Sequence, residues 1–166
     1  VGLMFFTDKI EKFIPPKKGK KHILLLIREM LEFKPESNGT DINMALEYLT
    51  GILKKRCATF IVSDFIDTHD YYKSMSIASR KHDLTAIQVY DKREAQLPDV
   101  GLMKLLDAES GEMKWIDTSS KKVRQAYNKW WYERQLNMNV TMQRCKVDVA
   151  SVATDEDYVK EFGEVC

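Results

Sequence analysis

Asp64 closes the most hydrophobic run of the chain, Cys57-Ala58-Thr59-Phe60-Ile61-Val62-Ser63, and an oxygen-rich corner, Gly39-Thr40-Asp41, stands upstream at the mouth of a helical segment. A carboxylate on one loop and a hydroxyl on another make half of a hard-cation site, because magnesium takes oxygen ligands in octahedral geometry. The hydrophobic run reads as a strand buried on both faces, and open parallel sheets bind ligands at the carboxyl ends of such strands. Thr40 and Asp64 are therefore the candidate metal ligands, and Gly39, Asp41 and Ser63 the candidate binding residues beside them. A plainer reading stands next to this one. Asp after a strand commonly satisfies backbone donors in its own loop, and Thr40 or Asp41 caps the helix that follows. Asp8, Asp67 and Asp91 are read as turn formers on the same ground.

The elements that must position these residues follow from periodicity. Val1 to Phe6 and Ile10 to Ile14 flank the polar turn Thr7-Asp8-Lys9 and predict a hairpin ended by Pro15-Pro16. Ile23, Leu26, Ile27, Met30 and Leu31 form one helical apolar stripe that stops before Pro35, and Ile42, Ala45, Leu46, Leu49, Ile52 and Leu53 form a second. The strand ending at Ser63, a helix around Tyr71 to Lys81 and the strand Leu84 to Tyr90 make a βαβ unit, which requires a parallel pair. Residues 102–106 and 113–116, joined by Glu109-Ser110-Gly111-Glu112, predict an added hairpin. A long helix from about Ser120 towards Cys145 and a strand from Val147 to Ala153 follow. Thr154-Asp155-Glu156-Asp157 has the form of a capping box for a last helix. Asp117-Thr118-Ser119-Ser120 reads as an N-cap for the long helix. Trp130 and Trp131 lie on that helix, about 100° apart in direction, so one at least is expected in the core. The expected architecture is a single α/β domain over residues 1–166, three-layered, with a mostly parallel sheet and helices on both faces.

Composition narrows the function classes. The 26 basic and 25 acidic residues are interleaved and leave a formal charge of +1, so no broad basic field exists to neutralise a run of phosphates, and nucleic acid is not expected as a partner. Lys17-Lys18-Gly19-Lys20-Lys21-His22 is the one cationic stretch and reads as a solvated helix entrance. Cys57, Cys145 and Cys166 are odd in number and lack CxxC spacing, which supports neither a disulfide framework nor zinc and fits a reducing, cytoplasmic location. His22, His69 and His82 read as surface or loop residues. No apolar stretch approaches the roughly 18 residues of a membrane span. The opening, Val1-Gly2-Leu3-Met4-Phe5-Phe6, is already a strand pattern without an initiator Met, the look of a domain cut open.

Taken in order, Val1 to Asp8, Ile14-Pro15-Pro16-Lys17, Gly39-Thr40-Asp41 before Ala45-Leu46, Ser63-Asp64-Phe65 and Thr154 to Val159 resemble the von Willebrand factor A-type domain of the bacterial "domain of unknown function 58" proteins. The resemblance covers nearly the whole chain. It implies a Rossmann-type sheet and a metal-ion-dependent adhesion site made of an Asp-x-Ser-x-Ser loop, a Thr matched by Thr40 and an Asp matched by Asp64. Such a site in a complete family member holds magnesium and leaves a position for a partner's carboxylate. The Asp-x-Ser-x-Ser loop is absent here, so Thr40 and Asp64 form a half-site from which no tight metal binding is expected.

The resemblance also implies a non-catalytic protein-interaction module working with a MoxR-class AAA+ ATPase in the assembly or maturation of other proteins. No Gly-rich phosphate loop, GxSxG elbow or Cys-His motif speaks for an enzyme. The competing reading is a receiver-like phosphoacceptor in which Asp64 takes a phosphoryl group, Asp8 helps hold magnesium and Lys92 contacts the phosphate. In the family, the missing strand separates the Val1 to Phe6 strand from the Cys57 to Ser63 strand. The two are therefore expected either to pair directly or to fill their open edges with a second molecule, making a homo-oligomer.

Overall fold

Strand and helix periods convert into elements close to those expected. In a computed structural model describing residues 1–106 and 113–155, β1 (Leu3–Phe6) and β2 (Ile10–Ile14) form an antiparallel hairpin with a register shift between Phe5 and Phe6. Helices α1 (Lys20–Glu32) and α2 (Ile42–Ile52) follow, then β3 (Ala58–Ser63), α3 (Tyr72–Lys81) and β4 (Asp83–Tyr90). A short helix α4 (Lys92–Ala95), which periodicity did not indicate, leads into the hairpin β5 (Leu102–Leu106) and β6 (Met113–Asp117). The long helix α5 (Lys121–Cys145) ends in a left-handed Lys146 and feeds β7 (Asp148–Ala153). The Glu109 to Glu112 turn, Cys166 and most of the expected capping box lie outside the described residues. No helix among the described residues is long and apolar enough to cross a membrane.

The fold is mixed α/β around a parallel sheet of order β3-β4-β7. This sheet is smaller than expected, because β1-β2 and β5-β6 form separate antiparallel pairs. The core lies on one face of it. Ile42 and Leu46 of α2, Met75 and Ala78 of α3, and Met138, Met142 and Cys145 of α5 close over Ile61, Leu84 and Ala86. Between β4, α5 and β7, the buried Gln88 donates to Gln135 at 3.1 Å and accepts from Ser151 at 3.1 Å, so its amide is satisfied away from water.

Several expectations are corrected here. The Cys57 to Ser63 run is not buried on both faces: Ile61 points into the core, whereas Phe60 and Val62 remain 64% and 57% exposed. The two-residue period of a strand puts them on the opposite face, which none of the described core helices covers. The three-layer arrangement is therefore not seen across β3. Direct pairing of the first strand with β3 is not seen either, because β1 pairs with β2 and β3 with β4. The stripe on α1 buries only Leu26, and Ile23, Ile27, Met30 and Leu31 are exposed. Helix α1 is instead tied to the hairpin at its edges, by Phe5 stacked on Phe33 at 4.0 Å and Lys12 bonded to Glu29 at 2.5 Å.

Neither tryptophan of the Trp130-Trp131 pair is core: Trp130 is exposed and Trp131 half-buried, because Met138, Met142 and Cys145 at the far end of α5 carry its packing. His82 is the reverse case. It is fully buried where α3 meets β4, with Nδ1 3.4 Å from the Cys57 sulfur, and burial and then Lys81 push its pKa down. The Asp117 to Ser120 segment is a turn, with Asp117 accepting from the Ser119 backbone and hydroxyl at 3.0 and 2.6 Å, and Ser120 makes no side-chain cap bond. Thr118 is buried there and donates its hydroxyl to the Gly101 carbonyl at 2.7 Å.

Candidate functional site

The carboxyl end of β3 turns sharply. Ser63 Oγ accepts from the Phe65 N–H at 3.0 Å and Asp64 Oδ1 from the Ile66 N–H at 2.9 Å, two consecutive side-chain turns that bend the backbone away from the strand. Phe65 takes the left-handed conformation, with φ of 56°, and its ring is buried in the core. For a bulky residue this conformation is uncommon, and burial of the ring in the core, 6.5 Å from the Tyr71 ring, holds it there. Asp64 itself stays exposed.

Three residues after Asp64, Asp67 turns inward with no exposed side-chain surface. Its Oδ2 accepts the Ile42 N–H, a free donor of the first turn of α2, at 2.7 Å. Its Oδ1 accepts the His69 N–H at 2.7 Å and lies 2.8 Å from His69 Nδ1. That hydrogen bond, and then the carboxylate charge, raise the His69 pKa. Asp41 caps the same helix by accepting from Met44 N–H at 2.8 Å, and its own N–H reaches the Thr7 carbonyl at 3.0 Å. Asp41, not Thr40, is the cap. The ligand-type atoms of Asp41, Asp67 and His69 all lie within 4.8 Å of one another. Gly39 lies against the hairpin turn, where a Cβ would stand 3.2 Å from that of Asp8. A hydrogen bond from Ser37 lowers the Asp8 pKa.

Beside this cluster opens a shallow cavity of about 220 Å³, lined by Asp67, His69 and Tyr71 from the loop after β3 and by Arg134, Met138 and Thr141 from α5. Tyr71 is pushed up to about 12, first by burial and then by repulsion from the Asp67 charge. Arg134 donates to the Phe65 carbonyl at 3.3 Å and lies over the Trp130 ring at 5.0 Å. Of the residues proposed from the sequence as metal or binding residues, Asp41 joins this cluster. Asp64 and Ser63 stand at the strand end before it, each spent on a backbone donor. Lys92 pairs with Asp155 at 3.3 Å. Asp67 and His69, read from the sequence as a turn former and a surface residue, do form a turn with an exposed imidazole, but their place in this cluster was not foreseen, and Arg134 was not singled out at all. Only the Asp-x-His spacing carried a local signal for any of them.

The donor set does not suit magnesium. Both Asp67 oxygens and one Asp41 oxygen already accept backbone or imidazole N–H groups, the third member is a nitrogen ligand, and Asp64 is not in the group. The arrangement joins the β3 loop to the start of α2.

Residues 1–137 match the family model described as Protein of unknown function DUF58. The chain belongs to this family. It is 25% identical over 151 residues to the uncharacterized protein Rv1480 of Mycobacterium tuberculosis, covering 90% of this chain and 47% of that one. It is 24% identical to the uncharacterized protein MAV169 of Mycobacterium avium, covering 90% and 89% respectively. This DUF58 chain thus spans about half the length of the first curated relatives it matches. Among solved structures, the conserved hypothetical protein BatB of Bacteroides thetaiotaomicron is similar with a TM-score of 0.53 at 13% identity, over 98% of this chain and 74% of that one. At that identity the likeness shows the fold alone.

Proposed function

We propose that the DUF58 chain is a non-catalytic protein-interaction module of von Willebrand factor A-like type, acting with a MoxR-class AAA+ ATPase in the assembly or maturation of other proteins. One observation carries the interaction reading. Trp130 and Tyr132 are exposed on α5 beside Arg134, which lines the cavity, and Tyr127 and Trp131 extend the same aromatic group, with ring centroids 5.5 and 6.4 Å from Trp130. Trp, Tyr and Arg are the residues that dominate binding energy at protein interfaces, and here they adjoin a concave, mixed-charge surface. The choice of a MoxR-class partner rests on the family resemblance.

The reading is tested by biolayer interferometry between the immobilised chain and a MoxR-class ATPase from the same organism. Saturable binding that weakens at least roughly tenfold in both Trp130→Ala and Arg134→Ala is the expected result. Absence of binding removes this partner. Transfer of phosphate from acetyl phosphate to Asp64, read by intact mass, would replace the whole reading with the receiver-like one.

The half-site reading of Thr40 and Asp64 makes a separate expectation. Calorimetric titration of the chain with magnesium or manganese gives no binding below the millimolar range. Submicromolar binding lost in Asp64→Ala would overturn it.

A further inference from the structure

We propose that the cavity between the loop after β3 and α5 receives the side-chain carboxylate of an aspartate or glutamate on a partner protein, held by the Arg134 guanidinium without a metal. The inference rests on the interaction reading above and gives that partner its chemistry.

Unfilled hydrogen-bond capacity in the cavity lies on the donor side. Arg134, Asn137 and Thr141 stand at i, i+3 and i+7 of α5 and line the cavity from one helix face. Among the described residues, Arg134 spends one guanidinium N–H, in the 3.3 Å bond to the Phe65 carbonyl, and keeps the rest of its fork. Its contact with the Trp130 ring, at 5.0 Å, fixes the group where it lines the cavity. The Asn137 amide, the Thr141 hydroxyl and the hydroxyl of Tyr71 on the facing wall make no hydrogen bond among the described residues. Tyr71, pushed up to about 12, stays a protonated donor at neutral pH.

The acceptors, by contrast, are filled. Both Asp67 oxygens take N–H groups from Ile42 and His69, and Asp70 Oδ1 takes the Tyr72 N–H at 2.9 Å. A ligand that only accepts completes such a surface, and a carboxylate does so while matching the arginine fork in two parallel bonds. A cationic ligand would set donors against donors beside the Arg134 charge. A phosphate dianion would be repelled by Asp67 and Asp70 more than a single negative charge is. The cavity is shallow and opens beside the exposed Trp130 and Tyr132, so a free small acid would stay wetted on its open side. A side chain instead arrives on a protein surface that those rings can cover.

Two-dimensional nitrogen-15 NMR on the labelled chain, at constant ionic strength, tests the site with N-acetyl-glutamate N-methylamide as probe and the corresponding glutamine compound as neutral control. Saturable shifts of the Arg134 Nε–H and Asn137 side-chain resonances are expected with the glutamate compound and not with the control. Arg134→Gln is expected to weaken this binding at least roughly tenfold. Thr141→Val breaks no hydrogen bond of the folded chain and is expected to weaken it roughly threefold. Equal shifts with the glutamine compound, tighter binding of inorganic phosphate, or binding unchanged by both substitutions overturns the proposal. Probe shifts without binding of the MoxR-class ATPase would remove that partner and uphold the cavity. Binding of the ATPase with no probe shift up to about 100 mM would overturn the carboxylate site and leave the interaction reading standing.

Discussion

Replacing Asp67 by Ala is expected to lower the free energy of unfolding by about 2 to 4 kcal/mol, the larger of the polar effects in this chain. The carboxylate is fully enclosed and accepts three N–H groups from two segments: Ile42 at the start of α2, and the His69 backbone and ring. Truncation removes charge-assisted bonds and leaves the Ile42 N–H without its acceptor, next to a side chain that is itself fully buried. Asp67→Asn recovers little. Its single oxygen can serve one of the two donor sets, and its NH₂ then points at the other. His69→Ala, at an exposed position, is mild by comparison. Chemical denaturation with urea reads all three, and an Asp67→Ala value below about 1 kcal/mol would show that the loop contributes nothing to α2.

The same cluster fixes a pH dependence. The His69 pKa is raised above 6.5 in the folded chain by its bond to Asp67. Below the unfolded value both states are protonated and the contribution of the pair is fully present. It is lost as pH rises through the raised folded value. Stability of the unmodified chain should therefore decline over that window just above the ordinary histidine range, and this decline should be absent in Asp67→Asn.

How much of this was legible in the sequence depends on the range of the interaction concerned. Elements set by local period were: the stripe from Ile42 to Leu53 gave α2, and the βαβ spacing gave the parallel β3-β4 pair. Burial was less so. Phe60 and Val62 are large apolar residues like Ile61, and nothing in a continuous hydrophobic run tells which face will be covered. The α1 stripe has a good helical period and still leaves Leu31 82% exposed, because period describes a face and not what meets it. The site was legible only in outline. After the strand that ends at Ser63, the residue that turns inward is Asp67 rather than Asp64, and its partner Ile42 lies 25 residues away. His82 was misread for the same reason, since its burial comes from the junction of α3 with β4 and its sulfur neighbour from Cys57.

The core makes the counterpart prediction. Met75 is fully buried on α3, among Ile42 and Leu46 of α2, Ala78 of its own helix, and Met138 and Met142 of α5. Met75→Ala removes three heavy atoms at a point where three helices meet and none can move in without leaving the others, so the cavity persists. The expected cost is about 2 to 5 kcal/mol. Met30 makes the same chemical change on α1, where its side chain is 50% exposed, and Met30→Ala is expected to cost less than about 1 kcal/mol. The pair separates two accounts of α1. If its apolar stripe were packed in this chain, the two substitutions would cost alike in urea unfolding at unchanged slope. A large gap between them places the hydrophobic stabilisation in the α2, α3 and α5 layer over β3 and β4. It also leaves the α1 stripe, like the Phe60 and Val62 face of β3, as apolar surface that the folded chain does not use for its own stability.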